Sequence, residues 1–485
     1  MPSSHAKRLL TIGIMALSVA SYIAVASYYV LNGELNADED FYCIAAKRVM
    51  SGKILYRDFA YSQMPVIPYV NGLAMRLAGY GFVKQRAINA MWGAITLIIA
   101  MVLVDRTAGW PGSVTCGCMF AMSLFWVHFT CLGKTYALAG LFLLIAGAAF
   151  YRENHDLKKI GLFSITAALA VGSRLTVVPA VAVLWILLIV QSPTAKQRWL
   201  AAILPAVALC CLIVPFYLAS PENFWFWNIE YHVGTTYYRS WRDTLLDHYW
   251  LAPGVLALIL LALAMLPFLR MKLAIRGLLL VMAAMTGIVT QLSLNSSYGE
   301  NSVPFLALTT VGAIDIIAKT QFAQWILAPS VLAAALALWL NPKPIEQPRI
   351  DKTINNIAQF VKAHTNPSDT ILTTFPLIAI QAERDVTPFC EMAKFCLTTE
   401  MDEDRAKRLH LFTPKTLLEV VESQEPGAIV MTSNYTRWSF YLTVPSIRQA
   451  DLELMRPAFR AMFDLYEKSM TEDLFLVLIR KPSAP

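Results

Sequence analysis

Three consecutive acids, Asp38, Glu39 and Asp40, and a fourth, Asp58, stand in the stretch LNADEDFYCIAAKRVMSGKILYRDFAYSQMPVIPYV, directly after an apolar N-terminal segment. A carboxylate within hydrogen-bond reach of a substrate, and away from bulk water, can act as a general base. Carboxylates also bind hard divalent cations such as Mg or Mn through oxygen, with Asp38 and Asp40 the candidates here, although adjacent residues rarely aim three carboxylates at one ion. The simpler alternatives are interfacial acids at the end of a span and, for Asp58, a turn aspartate bonded to backbone. Among cations, Arg174 falls in a turn between two very short apolar runs, where a charge is costly without a partner or snorkels to headgroups. Arg57 adjoins Asp58 and can pair with it. Lys84 and Arg86 precede an apolar run and suit lipid headgroups. The stretch PENFWFWNIEYHVGTTYYRSWRDTLLDHYW is dense in Trp and Tyr, as an interfacial belt is, and its His232, Arg239 and Arg242 could also face a substrate. Tyr298, Glu300 and Asn301 form a further polar turn.

What must position these residues is a membrane bundle. The chain has 485 residues, 57% hydrophobic and 15% charged. Soluble proteins carry about 25% charged residues, so the deficit points to a polytopic membrane protein. The net charge of +7 fits Lys- and Arg-rich cytoplasmic loops. No basic run interleaves with exposed aromatics, so nucleic acid is not an expected partner. Most of the eight cysteines lie in apolar segments and read as small buried hydrophobes. No zinc spacing, P-loop, GxSxG or HExxH occurs.

Apolar runs predict about eleven spans, near 9–31, 87–104, 113–131, 135–150, 160–172, 176–191, 199–219, 250–269, 277–294, 303–318 and 323–340. The first is about the ~20 residues a bilayer needs and lacks a convincing cleavage site, so it reads as retained. With the N-terminus in the cytoplasm, the short inside loops carry most of the Lys and Arg, which places the C-terminus outside. The outer loops are then 32–86 and 220–249. In the first, FYCIAAKRVMSG and MPVIPYVNGLAMRLAGYG read as two amphipathic helices lying on the membrane surface. Residues 1–340 form the transmembrane domain, 341–350 a Pro-rich linker, and 351–485 an extracytoplasmic α/β domain. In that domain TINNIAQFVKAH, PKTLLEVVESQ and ADLELMRPAFRAMFDLYEKS read as helices, and DTILTTF, GAIVMT and LFLVLIRK as strands. NYTRWSFYL is its most polar-aromatic patch. Cys390 and Cys396 either close a small disulfide loop in an oxidising compartment or stay as two thiols.

The run DE-x-x-Y, a helix with Ala and Arg, G-x-x-x-Y-R-D-F and a Pro-containing segment together resemble the GT-C superfamily of membrane glycosyltransferases. The likeness is greatest to the protein O-mannosyltransferase-like branch, which includes the lipid A aminoarabinose transferase. The matching residues are Asp38, Glu39, Phe41, Tyr42, Ala46, Arg48, Gly52, Tyr56, Arg57, Asp58, Phe59 and Pro65. AALAVGSRLTVVPAVAVL and SSYGENSVPFLALTTVGA resemble later elements of the same pattern. SQMPVIP departs from it, because no charge precedes Pro65.

The resemblance implies a GT-C-like bundle of about eleven helices that transfers a sugar from a polyprenyl-phosphate donor, usually with inversion, to a glycan, lipid or protein acceptor outside the cytoplasmic membrane. Asp38 matches the family acid and is the expected base, with Glu39 and Asp58 as further catalytic candidates. Arg174, Arg57 and Lys84 are the candidates for the donor phosphate, whose departing charge needs cations. Tyr42, Tyr298, Glu300 and His232 are candidates for contact with donor or acceptor. Use of Mg or Mn varies among GT-C branches and stays open. The expected location is a bacterial inner membrane. A flippase for a lipid-linked substrate would favour internal symmetry, and no repeat occurs. A non-catalytic assembly subunit would tolerate change at Asp38.

Overall fold

A computed structural model describes residues 4–33, 36, 38–121, 123–151, 157–234, 271–294, 299–319, 350–432, 449–472 and 475–482. In chain order the helices are α1 (Ser4–Asn32), α2 (Glu39–Met50), α3 (Val66–Ala78), α4 (Phe82–Ala121), α5 (Leu124–Cys131), α6 (Tyr136–Ala148), α7 (Leu157–Ser173), α8 (Val178–Gln191), α9 (Ala195–Ala219), α10 (Pro221–Trp225), α11 (Tyr231–Gly234), α12 (Met271–Leu294) and α13 (Val303–Ala318). The C-terminal region adds α14 (Ile350–His364), α15 (Pro376–Gln381), α16 (Glu403–Arg408), α17 (Pro414–Glu422) and α18 (Gln449–Leu465). Its strands are β1 (Thr370–Thr373), β2 (Asp385–Val386), β3 (Pro426–Thr432), β4 (Tyr466–Glu472) and β5 (Phe475–Arg480).

Among the described residues three helices are long and apolar enough to cross a bilayer, at Leu9–Asn32, Phe82–Ala121 and Ala195–Ala219. A fourth span arises if α5 and Tyr136–Tyr151, bent by 108°, count as one broken span. The runs expected at 250–269 and 323–340 lie outside the described residues. Those expected at 87–104 and 113–131 are cut differently. One helical stretch runs to Ala121, kinked at Gly109 (φ 65°), and α5 follows. Pro111 cannot donate into the preceding turn, so the kink falls just before it.

The chain forms two compact units. The first comprises 1–33, 86–214 and 237–345. Its core gathers Leu143 of α6, Phe163 of α7, Leu184 of α8, Leu280 of α12 and Phe305 and Leu308 of α13. Gly277 and Gly312 let α12 and α13 approach closely, since a Cβ on Gly277 would stand 2.6 Å from the Gly312 carbonyl. Near that crossing the Arg276 guanidinium makes a two-pronged bond to Asp315, at 3.1 and 2.9 Å, and lies 4.2 Å from the Tyr151 ring centre.

The second unit comprises 34–85, 215–236 and 346–485. In it the acidic segment and part of 220–249 pack with the C-terminal region. The sheet order is β2-β1-β3-β5-β4, with β1 parallel to β2 and β3, and with β5 antiparallel to β3 and β4. Most of the helices and strands expected there form. The stretch ending in YEKS does not stay helical: α18 stops at Leu465 and Tyr466–Glu472 becomes β4. Tyr466 is buried and donates its hydroxyl to the Pro426 carbonyl, and β5 supplies the pairing partner. NYTRWSFYL lies outside the described residues.

Helix α2 is not a surface helix. Glu39–Ala46 and Val49 are all buried, leaving only Lys47, Arg48 and Met50 partly exposed. Its basic end is tied to the C-terminal domain. Arg48 bonds Asp385 at 2.6 Å and Glu391 at 2.9 Å, and Lys47 donates to the Arg384 carbonyl at 3.3 Å. Helix α3 does expose Leu73, Arg76 and Leu77 along one side, as an interfacial helix would.

Candidate active-site clusters

In the helical unit three helix breaks meet around Arg174. Arg174 follows α7 in an extended conformation (φ −157°) and precedes the 3-10 turn Leu175–Val177 that leads into α8. Its guanidinium is buried. It donates to Thr135 Oγ1 at 2.7 Å, to Thr176 Oγ1 at 2.9 Å and, through Nη2, to Asn301 Oδ1. The Tyr136 ring centre lies 4.7 Å away, a cation–π contact. Thr135 is the cap of α6, at the sharp bend after α5, and Asn301 sits in the 3-10 turn Gly299–Ser302 that opens α13. Three helix N-termini therefore share one guanidinium. The positive ends of three helix dipoles gathered at one place favour an anion.

A second cation joins this cluster. Lys134 is buried, with Nζ 3.8 Å from Glu300 and 5.7 Å from the Tyr136 ring centre. Among the described residues the cluster holds two cations and one carboxylate and is net positive.

In the second unit the acids separate into different environments. Asp38 is half-buried ahead of α2, and its backbone N–H donates to Asn36 Oδ1 at 3.1 Å. Glu39 is fully buried and accepts from the Asn36 N–H at 3.1 Å, closing the helix start. Asp40 is buried too; one oxygen accepts the Leu377 N–H at 2.9 Å, at the first turn of α15. Its other oxygen has no partner among the described residues. Burial lifts the Asp40 carboxyl to about 8; the Leu377 bond and Lys394 oppose this, and Glu39 and Asp38 add to it. Asp40 is thus mostly protonated at neutral pH.

Asp58 bonds Arg57 through both oxygens, at 2.8 and 3.0 Å, and accepts the Ile54 N–H at 2.7 Å. The Arg57 bond holds its carboxyl below the usual range. Between Ile54 and Asp58 the chain turns through Tyr56 at φ 67°, whose buried ring packs on Phe224. Asn223 donates to the Tyr56 carbonyl at 2.6 Å and to the Arg408 carbonyl at 2.8 Å, tying 34–85 and 215–236 to the C-terminal region. His232 donates a ring N–H to the Ser62 carbonyl at 2.7 Å.

No family profile matches this sequence, and no curated protein does. Solved structures do. ArnT from Cupriavidus metallidurans bound to undecaprenyl phosphate overlays with a TM-score of 0.67 at 12% identity, covering 97% of this chain and 98% of that one. Its apo form gives 0.63 at 13%, covering 96% and 98%. The chain has the GT-C fold. An oligosaccharyltransferase from Archaeoglobus fulgidus matches at a TM-score of 0.48 and 11% identity, over 92% of this chain and 72% of that one.

Within the GT-C fold the expected site residues are distributed unevenly. Arg174, Glu300 and Asn301 come together. Arg57 is taken by Asp58, and Lys84 is exposed, its ammonium occupying the space where a Cβ on Gly79 would stand. Arg86 is not a headgroup ligand: it is buried and donates to the carbonyls of Tyr29 and Gly33, capping α1. Tyr42 is buried, its ring 4.3 Å from Phe41 and 6.2 Å from Tyr61. Tyr298, Arg239 and Arg242 lie outside the described residues. Sequence reasoning missed Lys134, Thr135 and Tyr136. The signal was present in LGKT, a glycine and a lysine interrupting two apolar runs. Of the two candidates for a metal, Asp38 is half-buried beside Asn36 and Asp40 is buried with one oxygen on the Leu377 N–H. Among the described residues no three His, Cys, Asp or Glu side chains converge on one point.

Proposed function

We propose that the chain is a glycosyltransferase that moves a sugar from a polyprenyl-phosphate donor to an acceptor at the outer face of a bacterial inner membrane, with its N-terminus in the cytoplasm. The observation that carries this reading is buried Arg174, bonded only to neutral oxygens among the described residues, where α6, α8 and α13 begin. The likeness to ArnT, solved with undecaprenyl phosphate, supports it. Arg174 and Lys134 hold the donor phosphate and stabilise the charge it gains as the sugar leaves. Asp38 takes the proton from the acceptor hydroxyl or amine, and the freed lone pair forms the new bond to the anomeric carbon as its bond to phosphate oxygen breaks. Among the three acids Asp38 suits the role, because Asp40 already holds a proton and Glu39 closes the helix start.

The test is transfer by the purified full chain from a panel of polyprenyl-phosphate sugars into membrane extract, beside Asp38→Asn and Arg174→Gln. Asp38→Asn should fold and lose transfer by about 100-fold or more. Undecaprenyl phosphate should raise the melting temperature of the wild type and not of Arg174→Gln. Equal transfer by wild type and Asp38→Asn removes Asp38 from the mechanism. Absence of transfer across the panel moves weight to a flippase or an assembly subunit.

A further inference from the structure

The segment after β2 is unusual. Phe389 (φ 77°) and Ala393 (φ 53°, ψ −129°) adopt left-handed backbone that residues with a Cβ avoid. Such conformations persist only where the surroundings impose them. Between and beside them stand Cys390 and Cys396, both buried free thiols that open and close one tight 3-10 turn. The segment is also what holds α2. Glu391 bonds Arg48, Phe395 packs on Phe41 with ring centres 6.3 Å apart, and the Lys394 charge acts on Asp40. Beyond it the backbone is pinned to Phe412, whose N–H donates to the Cys396 carbonyl and whose carbonyl accepts the Thr398 N–H, both at 2.8 Å.

We propose that Cys390 and Cys396 are a disulfide-forming site, and that the bond braces the strained loop that grips the acidic start of α2. The inference rests on the outward orientation of the C-terminal domain in the proposed function, since an oxidising compartment is where such a bond persists. The chemistry is thiol–disulfide exchange with a protein dithiol oxidase. One cysteine thiolate attacks the oxidase disulfide and releases one of its sulfurs as thiolate. The second cysteine then displaces the other, so that the pair loses two electrons and two protons and the oxidase leaves as a dithiol. Because both thiols are buried in the folded chain, exchange precedes the docking of the loop on α2. Neither the reacting sugar nor its acceptor takes part.

Full-length protein is recovered from its own membranes with alkylating agent present at lysis, denatured without reductant and digested with trypsin. Cleavage after Lys394 falls between the two cysteines, so a disulfide leaves the peptide ending at Lys394 joined to the one beginning at Phe395. Recovery of that joined pair, split by reductant, is the expected result. Recovery of both cysteines separately alkylated overturns the proposal, whether or not glycosyl transfer is observed. A second measurement covers the bracing role. Wild type made in cells lacking the dithiol oxidase should melt roughly 5 °C below wild type made in its presence and show faster amide exchange in α2, and the Cys390→Ser/Cys396→Ser variant should melt alike from both sources. A difference of equal size in that variant, or none in the wild type, overturns the brace. A joined peptide pair in a protein without transferase activity leaves the disulfide standing and removes the proposed function instead.

Discussion

Two arginines reach into the helical unit and are treated in opposite ways. Arg276 meets Asp315 with both prongs, and the carboxylate it neutralises is fully buried. Arg174 is bonded to two threonine hydroxyls and an asparagine oxygen. The first arrangement cancels charge and fastens α12 to α13. The second holds a charge in place without cancelling it. A protein that needed Arg174 only for packing would do better with an apolar residue, because an uncancelled cation among apolar helices is costly. Under the proposed function, the difference separates a structural ion pair from the site that receives the donor phosphate.

The comparison breaks or sharpens under substitution. Arg276→Gln leaves Asp315 buried and unpaired and should lower stability by about 3 kcal/mol, read as a lower melting temperature in detergent. Arg174→Gln removes the burial cost of an uncancelled cation along with its bonds, so it should lower stability by less than Arg276→Gln does. Comparable losses from the two variants would erase the distinction. A smaller effect is expected in the second unit, from Asp40→Asn. The folded carboxyl titrates at about 8, against about 4 in an unfolded chain. Between those values the folded state holds a proton that the unfolded state has lost, so stability falls as pH rises through that window. Asn mimics the neutral acid and should flatten the melting temperature between about pH 5 and 8. A slope equal to that of the wild type would show that Asp40 does not titrate this way. The smallest effect belongs to Asp58→Asn. Its pair with Arg57 is half-exposed, so the cost should stay under about 1 kcal/mol and transfer should persist. Loss of transfer there would return Asp58 to the catalytic set.

The helical fold and half of the cation cluster were legible because charges in apolar runs are conspicuous. Arg174, Glu300 and Asn301 each interrupt a greasy stretch, and no soluble context competes to explain them. Lys134 does the same, but as one basic residue on the outer side it registered only as a minor exception to the charge bias of the loops. The environment of α2 was not legible. Its pattern of Phe41, Ile44, Ala45 and Val49 fits one apolar face against a membrane. Burial of Asp40 and the grip on Arg48 depend on Leu377, Asp385 and Glu391, which stand over three hundred positions away. Local periodicity reports that a face is apolar and is silent on what covers it. The β4 strand escaped for the same reason, since its helical neighbour α18 runs straight into it and only β5 decides where the helix ends.

The second unit draws on 34–85, 215–236 and 346–485. Arg48 and Asp385 are 337 positions apart. At a synthesis rate of ~5–20 residues per second, α2 leaves the ribosome roughly 20–70 s before the residues that will cover it. For that interval its buried aromatic and aliphatic side chains have only the membrane or a chaperone for company. A chain cut short before Leu377 would lack every one of the distant residues that bond Asp40 and Arg48, so α2 could form as a helix and still have nothing to bury it.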